Sequence, residues 1–449
     1  MKKNDICSLN ITDCTLSGSG VGHVDSLAVF VPASAVGDEL KVHILKVKSN
    51  CAFGKVHEII TPSPDRTDID CPVFPKCGGC SFRHISYDAE LRIKENQVRE
   101  NLRRIGKIDI DVNPITPSPS VDAYRNKAQY PLSFKDGKLS IGFFAERSHR
   151  VIDCRNCRLQ SDEFSVILSI FDEWINKNKI SVYDETTHKG LLRHIYIRKG
   201  EKTGEILVCA VINSEKIPCK DELCDNLLSK LPNIKSIVIN INKEKTNVIL
   251  GKKCIPIYGN GYIEDILCSL RFRISPLSFY QVNALQAENL YNKAIELADA
   301  KDKTVLDLYC GTGTIGLTMA KNAKKVIGVE IIPDAVKDAK INAELNNIEN
   351  AKFICADASD AVKQLREKNI KPDVIIVDPP RKGCSEDVLK TISDFSPERL
   401  VYISCDSATL ARDCAILKTL GYNATYAAPF DMFPRTGHVE TVMSMKKEF

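Results

Sequence analysis

The chain has 449 residues, of which 43% are hydrophobic and 27% are charged, and its formal net charge is +4. This length is too great for a single hydrophobic core, so we expect two or three globular domains. The charge is too small to indicate a nucleic-acid partner by itself. The longest apolar run, residues 206–212, cannot cross a bilayer. Because the first ten residues lack the apolar core of a signal peptide, we expect a cytoplasmic protein without membrane association.

The first 60 residues alternate between apolar and polar side chains, most clearly over residues 27–31 and 41–47. A period of two predicts half-buried strands, and the glycines at positions 18, 20, 22 and 37 punctuate them as in a small β-barrel. The prolines of residues 61–64 mark a linker. We therefore predict an N-terminal β-barrel over residues 1–62.

Five cysteines are clustered beyond this linker, at positions 71, 77, 80, 154 and 157. Four thiolates with such spacing hold either a zinc ion or a 4Fe-4S cluster. By spacing alone, a pair of zinc knuckles would consist of Cys77, Cys80, Cys154 and Cys157. Most other cysteines of a chain in a reducing compartment are expected to be free thiols.

The residues around the cysteines form a central region with a mixed pattern. Residues 86–105 have the pattern of a helix, residues 114–119 form a second proline-rich linker, and strands and helices without a clear period follow. Residues 81–160 contain 15 Lys and Arg against 10 Asp and Glu, which fits either a phosphate-binding face or a solvated surface. We predict a central α+β domain over residues 63–285.

From residue 304 onward, short apolar runs alternate with helical segments, which is the pattern of a parallel sheet covered by helices on both faces. The runs are residues 304–309, 325–330, 352–355, 374–377 and 400–404, and residues 438–445 form a final strand. We predict a doubly wound, Rossmann-like α/β domain over residues 286–449.

A glycine-rich segment follows the first of these strands. Gly311, Gly313 and Gly316 let the backbone approach a ligand closely, and the helix that begins here offers free N–H groups. Glu330 ends the next strand, where a carboxylate can accept hydrogen bonds from ribose hydroxyls. These features fit NAD as well as S-adenosylmethionine.

Two further carboxylates favour S-adenosylmethionine. Asp357 follows the third strand, where it could meet the adenine amino group, and Asp378 follows the fourth strand at the edge where open sheets bind ligands. Pro379 and Pro380 then form a rigid rim, because proline continues neither strand nor helix. Such a rim is typical of methyltransferases that act on bases, whereas the alternative for an isolated DPP segment is an ordinary turn.

Cys405 follows the fifth strand and precedes a helical segment over residues 407–420. A thiol near a helix N-terminus is expected to be shifted towards the nucleophilic thiolate. The alternative interpretation of any single cysteine is a buried core residue.

Three C-terminal segments resemble, in order and spacing, the motifs of the RNA uracil-C5 methyltransferases: DPPRKG at 378–383, ISCD at 403–406 and FPRTGHVE at 433–440. The branch that acts on 23S ribosomal RNA is the most similar. The resemblance covers essentially the whole chain, because the N-terminal segment resembles the TRAM barrel of this family and the cysteine cluster resembles its iron–sulfur motif. Ser407 departs from the family, in which proline usually follows at this position.

The resemblance implies roles for individual residues. Cys405 would be the nucleophile and Glu440 the general base. The cofactor site would be lined by Gln281, Tyr309, Gly311, Gly313, Thr314, Glu330, Asp357 and Asp378. The ligands of a 4Fe-4S cluster would be Cys71, Cys77, Cys80 and Cys157. RNA contacts in the basic stretch would be made by Arg125, Lys127 and Gln129.

The implied activity is the transfer of a methyl group from S-adenosylmethionine to C5 of a uridine in RNA, with 23S ribosomal RNA as the expected substrate and a monomer as the expected state. Thiolate addition at C6 makes C5 nucleophilic, and a base then removes the C5 proton. Transfer RNA is an alternative substrate. Two alternative functions are an amino-group base methyltransferase, which needs neither Cys405 nor Glu440, and a non-catalytic RNA-binding protein.

Overall fold

The computed structural model describes residues 1–447, and its strands form three large sheets and one hairpin. The strands of the N-terminal sheet are β1 (Ile6–Asn10), β2 (Asp13–Cys14), β3 (Ser19–Val24), β4 (Leu27–Pro32), β5 (Glu39–Val47) and β6 (Cys51–Thr61). They lie in the order β1-β5-β6-β4-β3-β2.

The N-terminal sheet curls until β1 and β3 are in contact, and the N–H of Thr12 donates to the carbonyl oxygen of Val21 at 2.9 Å. Alternate side chains point inward along each strand. The residues of this core include Leu9, Val29, Val31, Leu40, Val42 and Ile44. The structure therefore confirms the small β-barrel that the alternation predicts.

The central region contains a second sheet. Its elements are α1 (Tyr87–Arg104), β7 (Lys127–Lys135), β8 (Lys138–Phe144), β9 (Val151–Asp153), α2 (Asp162–Lys177), β10 (Leu192–Lys199), β11 (Ile206–Ile212), α3 (Lys220–Lys230), β12 (Ile234–Ile241) and β13 (Lys253–Tyr258). The seven strands lie in the order β13-β12-β11-β10-β7-β8-β9. Neighbouring strands are antiparallel except for β11 and β12, which are parallel.

The C-terminal region begins with a hairpin, β14 (Ile263–Leu267) and β15 (Leu270–Ile274), followed by α4 (Ala284–Ala298). Its other elements are β16 (Thr304–Leu308), α5 (Thr314–Ala320), β17 (Lys325–Glu330), α6 (Pro333–Leu345), β18 (Ala351–Cys355), α7 (Ala358–Glu367), β19 (Val374–Val377), α8 (Glu386–Phe395), β20 (Arg399–Ser404), α9 (Ser407–Thr419), β21 (Tyr422–Phe430) and β22 (Glu440–Lys447).

The C-terminal strands lie in the order β18-β17-β16-β19-β20-β22-β21. The first five are parallel, and β22 is antiparallel to both of its neighbours, which confirms the doubly wound α/β fold. The last strand begins at Glu440 rather than at residue 438, because its partner β21 ends at Phe430, which pairs with Glu440.

The central and C-terminal sheets share one hydrophobic core. Leu207 and Val211 on one face of β11 belong to the same cluster as Leu290 of α4. The other face of β11, which includes Val208, packs with α2 and α3. Burial on both faces explains why residues 206–212 form a continuous apolar run.

Helix α1 packs on the C-terminal sheet domain rather than on the central sheet. Val98 and Leu102 of α1 belong to the same core cluster as Leu410 of α9. The helix begins where the sequence predicts, because Ser86 accepts a hydrogen bond from the N–H of Ala89 at 3.2 Å. Within residues 1–447, no helix is both long and apolar enough to cross a membrane.

Candidate active site

The carboxyl ends of four parallel strands bring predicted site residues to one edge of the C-terminal sheet. Tyr309 follows β16 and Glu330 ends β17, while Asp378 follows β19 and Cys405 follows β20. Parallel strands end at the same edge, which is where open α/β sheets bind ligands. Glu440 reaches this edge as the first residue of the antiparallel strand β22.

The glycine-rich segment forms a tight turn between β16 and α5. Gly311 (φ +55°) and Gly313 (φ +82°) adopt the left-handed backbone conformation that favours glycine. The N–H of Gly311 donates to the carboxylate of Glu330 at 3.1 Å, and the N–H of Ile332 donates to its other oxygen at 2.9 Å. Glu330 therefore orders both loops, and each oxygen retains a lone pair that can accept from a hydroxyl.

The loop that precedes α4 is fixed on two sides. Thr312 Oγ1 donates to the carbonyl oxygen of Phe279 at 3.3 Å, which ties the loop to the glycine-rich segment. Asn126 Nδ2, from the central domain, donates to the carbonyl oxygen of Gln281 at 2.9 Å. The buried Gln281, which the resemblance assigns to the cofactor site, is thereby held beside the glycine-rich turn.

Tyr291 of α4 links two of the predicted cofactor-site residues. Its hydroxyl lies 3.3 Å from Thr314 Oγ1, and the side chain of Gln281 also acts on the pKa of this hydroxyl. Burial raises the pKa of Tyr291, and the negative charge of Asp378 adds to the effect, so the hydroxyl stays neutral. Sequence reasoning missed this residue, because a tyrosine on the buried face of a helix has the signature of an ordinary core residue.

Asp357 lies at the N-terminus of α7 and is exposed. Its Oδ1 accepts hydrogen bonds from the N–H of Ser359 at 2.9 Å and from the hydroxyl of Ser359 at 2.7 Å. These bonds lower the pKa of Asp357, so the carboxylate is ionised at neutral pH. Because Oδ1 makes both bonds, Oδ2 can accept a further hydrogen bond from an amino group.

Two carboxyl groups at this edge have pKa values near neutrality. Burial raises the pKa of Asp378 to about 7. Burial and the negative charge of Asp378 raise the pKa of Glu440 to about 8, although the positive charge of Arg381 opposes this shift. Only 4% of Glu440 is exposed. Both groups can therefore exchange a proton at neutral pH, as a general base must.

Cys405 lies beside these carboxyl groups. Ser404, the residue before it, pairs with Thr441 of β22, which places Glu440 next to Cys405 in the register of the two strands. Burial raises the pKa of the half-buried thiol to about 11, and the negative charges of Glu440 and Asp378 contribute to this rise. Cys405 is therefore a protonated thiol at neutral pH.

The expectation that helix α9 would favour the thiolate of Cys405 is therefore wrong. Asp406 occupies the N-cap of α9 and accepts the N–H groups of Ala408 and Thr409 at 3.0 Å each. These are the donors that a helix N-terminus would otherwise direct at a nearby anion. The carboxylate of Asp406, and not the sulfur of Cys405, is therefore the acceptor for these N–H groups.

A histidine and an arginine face each other at the rim of the site. Arg381 Nη2 lies 3.3 Å from His438 Nε2. Burial lowers the pKa of His438 to about 4, and the positive charge of Arg381 contributes. His438 is therefore a neutral imidazole at pH 7, and the positive charge of this rim belongs to Arg381.

Two further contacts hold the loops around Cys405. Asp413 Oδ2 accepts the N–H of Cys384 at 2.7 Å and the hydroxyl of Tyr402 at 2.6 Å, which anchors the segment that follows the DPP motif. Asn101 Nδ2 donates to Ser407 Oγ at 2.8 Å, so the loop that lacks the proline of the family is fixed to α1. Sequence reasoning identified neither residue, because Asp413 lies on the buried face of α9 and Asn101 contacts a residue 306 positions away.

The five clustered cysteines line one small pocket in the central region, with a cavity volume of about 50 Å³. The cysteines are Cys71, Cys77, Cys80, Cys154 and Cys157. Apolar side chains, among them Phe74 and Phe143, form much of the remaining wall. Within residues 1–447, no three His, Cys, Asp or Glu side chains converge closely enough to hold a single metal ion.

Neighbouring groups set the charge state of these thiols. A hydrogen bond with Cys154 lowers the pKa of Cys157, and the positive charges of Arg125 and Arg83 act in the same direction. Burial raises the pKa of Cys80 to about 11. Arg125 also lines this pocket, so its guanidinium group lies beside the thiols.

Comparison with known proteins gives consistent matches along the chain. A family model described as tRNA (uracil-5-)-methyltransferase matches residues 86–448, and a TRAM domain model matches residues 7–57. Proteins of Clostridium tetani and Halalkalibacterium halodurans, both named as uncharacterised RNA methyltransferases, are each 45% identical to this chain. The alignments cover 99% and 98% of this chain and 97% of each relative.

Among solved structures, the chain is similar to the tRNA (uracil-54, C5)-methyltransferase of Pyrococcus abyssi in complex with S-adenosyl-L-homocysteine. The two share 29% sequence identity with a TM-score of 0.80. The similarity covers 97% of this chain and 99% of the archaeal protein, so the fold is similar over nearly the whole length of both chains.

Proposed function

The chain belongs to the tRNA (uracil-5-)-methyltransferase family, and we propose that it methylates C5 of a uridine in 23S ribosomal RNA through Cys405 and Glu440. It is an S-adenosylmethionine-dependent RNA methyltransferase with an N-terminal TRAM domain. The observation that carries the proposal is a thiol beside two carboxyl groups at the ligand-binding edge of the sheet. An enzyme that methylates an amino group would need no such thiol.

The reaction requires a nucleophile, because C5 of uracil does not attack a methyl group unaided. When the sulfur of Cys405 adds to C6, the electron pair of the C5–C6 double bond moves towards O4 and forms an enolate. Carbon C5 of this enolate attacks the electrophilic methyl group that bound S-adenosylmethionine supplies. The thiol proton must leave Cys405 first, and the ionised carboxylate of Asp378, whose pKa is about 7, is a suitable acceptor that leaves Glu440 free for the later step.

Glu440 then removes the C5 proton. The electron pair of the C5–H bond restores the C5–C6 double bond, and the C6–S bond breaks to return the electron pair to the sulfur of Cys405. A base is most efficient when its pKa lies near the working pH, and the pKa of Glu440 is about 8. The target base must leave its stack to reach this edge, so a loop or an opened helix is the expected substrate.

The ribosomal target rests on the resemblance of the three C-terminal motifs to the 23S branch. Transfer RNA is the second candidate, because the Pyrococcus abyssi tRNA (uracil-54, C5)-methyltransferase is similar over 97% of this chain. The test is methylation of purified 23S ribosomal RNA and of transfer RNA, both without modified uridines, followed by mapping of 5-methyluridine. Product in ribosomal RNA alone supports the proposal, and product in transfer RNA alone favours the second candidate.

The same assay tests the mechanism. Cys405→Ala should abolish methylation of either RNA while binding of S-adenosylhomocysteine, measured by calorimetry, stays near that of the wild type. Cys414→Ala is the matched control, because Cys414 is buried in the core of the same domain. Full turnover by Cys405→Ala would end the covalent mechanism and favour amino-group methylation.

We propose further that the cysteine pocket holds a 4Fe-4S cluster through Cys71, Cys77, Cys80 and Cys157. The lowered pKa of Cys157 suits a thiolate ligand, and the guanidinium groups of Arg83, Arg125 and Arg158 line the same pocket. Cys154 lies beside Cys157 in this pocket. A zinc ion needs four sulfurs about 2.3 Å from one point, whereas a cluster presents four separate iron atoms to four thiolates. The cluster would join residues 71–80 to residue 157 and would take no part in methyl transfer.

A further inference from the structure

The loop that leads to Glu440 has no regular secondary structure of its own. It spans residues 431–439, between the end of β21 and the start of β22. Within it, Arg435 has a left-handed backbone conformation with φ +67°, which is uncommon for a residue with a side chain. The shape of this loop, referred to below as the base loop, must therefore be fixed by contacts from other parts of the chain.

Lys94 of α1 makes two of these contacts and a third hydrogen bond within its own helix. Its ammonium group donates to Glu90 Oε1 at 2.7 Å, to Asp431 Oδ1 at 2.7 Å and to the carbonyl oxygen of Phe433 at 3.2 Å. An ammonium group has three N–H donors, so all of them are used. The side chains of Lys94, Glu90 and Asp431 are fully buried.

Glu90 holds the middle of the base loop. Its Oε1 also accepts the N–H of Arg435 at 2.7 Å, and its Oε2 lies 3.7 Å from the guanidinium group of Arg435. The same guanidinium group donates to the carbonyl oxygen of Ile85 at 3.0 Å, and the carbonyl oxygen of Arg435 accepts the N–H of Ser81 at 2.7 Å. The backbone N–H, the carbonyl oxygen and the side chain of Arg435 are therefore all held by hydrogen bonds.

A buried ion network of this kind is weak evidence for a role in stability. Apolar side chains of similar volume often stabilise a protein as well as, or better than, a buried ion pair, because charges are costly to remove from water. Hydrogen bonds to charged groups are directional, however, so the bonds of this network favour one geometry of the loop, with Glu90 Oε2 and Arg435 Nε left without a hydrogen-bond partner among the described residues. Tyr87 adds to this network by donating its hydroxyl to Asp431 Oδ2 at 2.8 Å.

We propose that Lys94 and Glu90 are positioning residues for methyl transfer, which hold the base loop so that Glu440 faces the C5 proton of the Cys405 adduct. The proposal rests on the roles proposed above for Cys405 and Glu440. Neither positioning residue touches the reacting atoms. A loosened base loop should slow removal of the C5 proton more than it slows attack by Cys405, because Cys405 is held by β20 rather than by this loop.

The test uses the full-length double variant Lys94→Met/Asp431→Asn. It removes one positive and one negative charge and replaces each side chain by a neutral one of similar volume. The ion pair between Glu90 and Arg435 remains. The matched control is Lys199→Met, which breaks the 2.6 Å ion pair between Lys199 and Glu163 in the central region. Glu440→Gln is measured in parallel as the reference for a missing base.

For the double variant we expect a covalent protein–RNA adduct on denaturing gels and a fall in kcat of about 100-fold. The KM for RNA should change by less than about twofold, because no ground-state contact to RNA is lost. Amide deuterium exchange over residues 432–437 should accelerate, and it should remain at the wild-type rate in Lys199→Met. A variant with the wild-type kcat and wild-type exchange would overturn the proposal.

The parallel variant separates two kinds of failure. If Glu440→Gln accumulates the adduct and the double variant does not, the positioning role is wrong while the function of Glu440 stands. If Glu440→Gln turns over like the wild type, the proposed function fails and the positioning role fails with it. Should the double variant not fold, Glu90→Gln replaces it, because glutamine keeps an acceptor for the N–H of Arg435. Accumulation of the adduct in Glu90→Gln supports the proposal. Normal turnover together with normal amide exchange overturns the proposal.

Discussion

Two thiols of this protein lie in surroundings of opposite charge. Burial and the carboxyl groups of Glu440 and Asp378 raise the pKa of Cys405 to about 11. In the cysteine pocket, a hydrogen bond with Cys154 and the positive charges of nearby arginines lower the pKa of Cys157. The first thiol is therefore protonated at neutral pH, while the second is poised to be a thiolate.

The difference agrees with the tasks proposed for the two residues. A metal ligand must be deprotonated whenever the metal is bound, so positive neighbours suit Cys157. A nucleophile is deprotonated only during turnover, and a thiolate of higher pKa is intrinsically more nucleophilic. Protonation between turnovers also protects Cys405 from oxidation, because the thiolate is the form that reacts. Of these two thiols, the proposed ligand Cys157 thus has positive neighbours and the proposed nucleophile Cys405 has negative ones.

The largest expected effect comes from Glu440→Gln, which leaves the thiol in place and removes the base. Attack and methyl transfer should still occur, so an adduct should accumulate while turnover falls by about 10²-fold to 10⁴-fold. Labelled RNA on a denaturing gel measures the adduct. Glu58→Gln, on the surface of the N-terminal barrel, is the control. Normal turnover would show that Glu440 takes no part in the chemistry. The negative charge beside Cys405 would then have no catalytic role to set against the ligand role of Cys157.

The next prediction concerns the ligands of the pocket. Protein purified anaerobically should contain about four iron and about four sulfide ions per chain. Cys71→Ser should lose most of this iron, because the proposed cluster uses Cys71, whereas Cys154→Ser should keep it. Zinc that is retained in Cys71→Ser and lost in Cys154→Ser would identify the pocket as a pair of zinc knuckles instead.

The two regions also show what the sequence can and cannot predict. The strands from residue 304 onward, with Asp378 and Cys405 at their ends, are predictable because periodicity and a glycine-rich turn are local signals. The protonation of Cys405 cannot be predicted in this way, because Glu440 lies on a different strand and because Asp406 accepts the hydrogen bonds of the helix N–H groups. The contact between Lys94 and Asp431 cannot be predicted from local patterns either, because the two residues lie 337 positions apart.

A smaller effect is expected on the reactivity of Cys405 itself. At pH 9 Glu440 is ionised, because its pKa is about 8, and its charge disfavours the thiolate. Glu440→Gln should therefore lower the pKa of Cys405. The thiolate fraction rises about tenfold for each unit by which the pKa falls. About half of this gain on a logarithmic scale is lost because a less basic thiolate is less nucleophilic.

The rate of alkylation of Cys405 by iodoacetamide at pH 9 should thus increase by about threefold per unit of pKa. Mass spectrometry of the peptide that contains Cys405 gives this rate, and the peptide that contains the buried Cys384 is the internal control. An unchanged rate would show that Glu440 exerts no charge effect on the thiol, and the raised pKa of Cys405 would then rest on burial and the charge of Asp378.

The smallest expected effect concerns Lys127, which shares the neighbour Arg125 with Cys157. Burial lowers the pKa of Lys127 to about 8, and the positive charges of Arg198 and Arg125 contribute. The same positive surroundings that favour the thiolate of Cys157 therefore disfavour the ammonium form of Lys127. A phosphate group of RNA would reverse this effect, because its negative charge favours the ammonium form.

If Lys127 binds a phosphate, RNA affinity should fall as the pH rises above about 8, because free Lys127 loses its proton there while bound Lys127 must keep it. Lys127→Ala should remove this pH dependence and reduce the log–log salt slope of binding by about one. Lys127→Arg, which stays charged, should remove the pH dependence and keep the slope. Relaxed site choice with an unchanged slope would instead show that Lys127 reads a base edge.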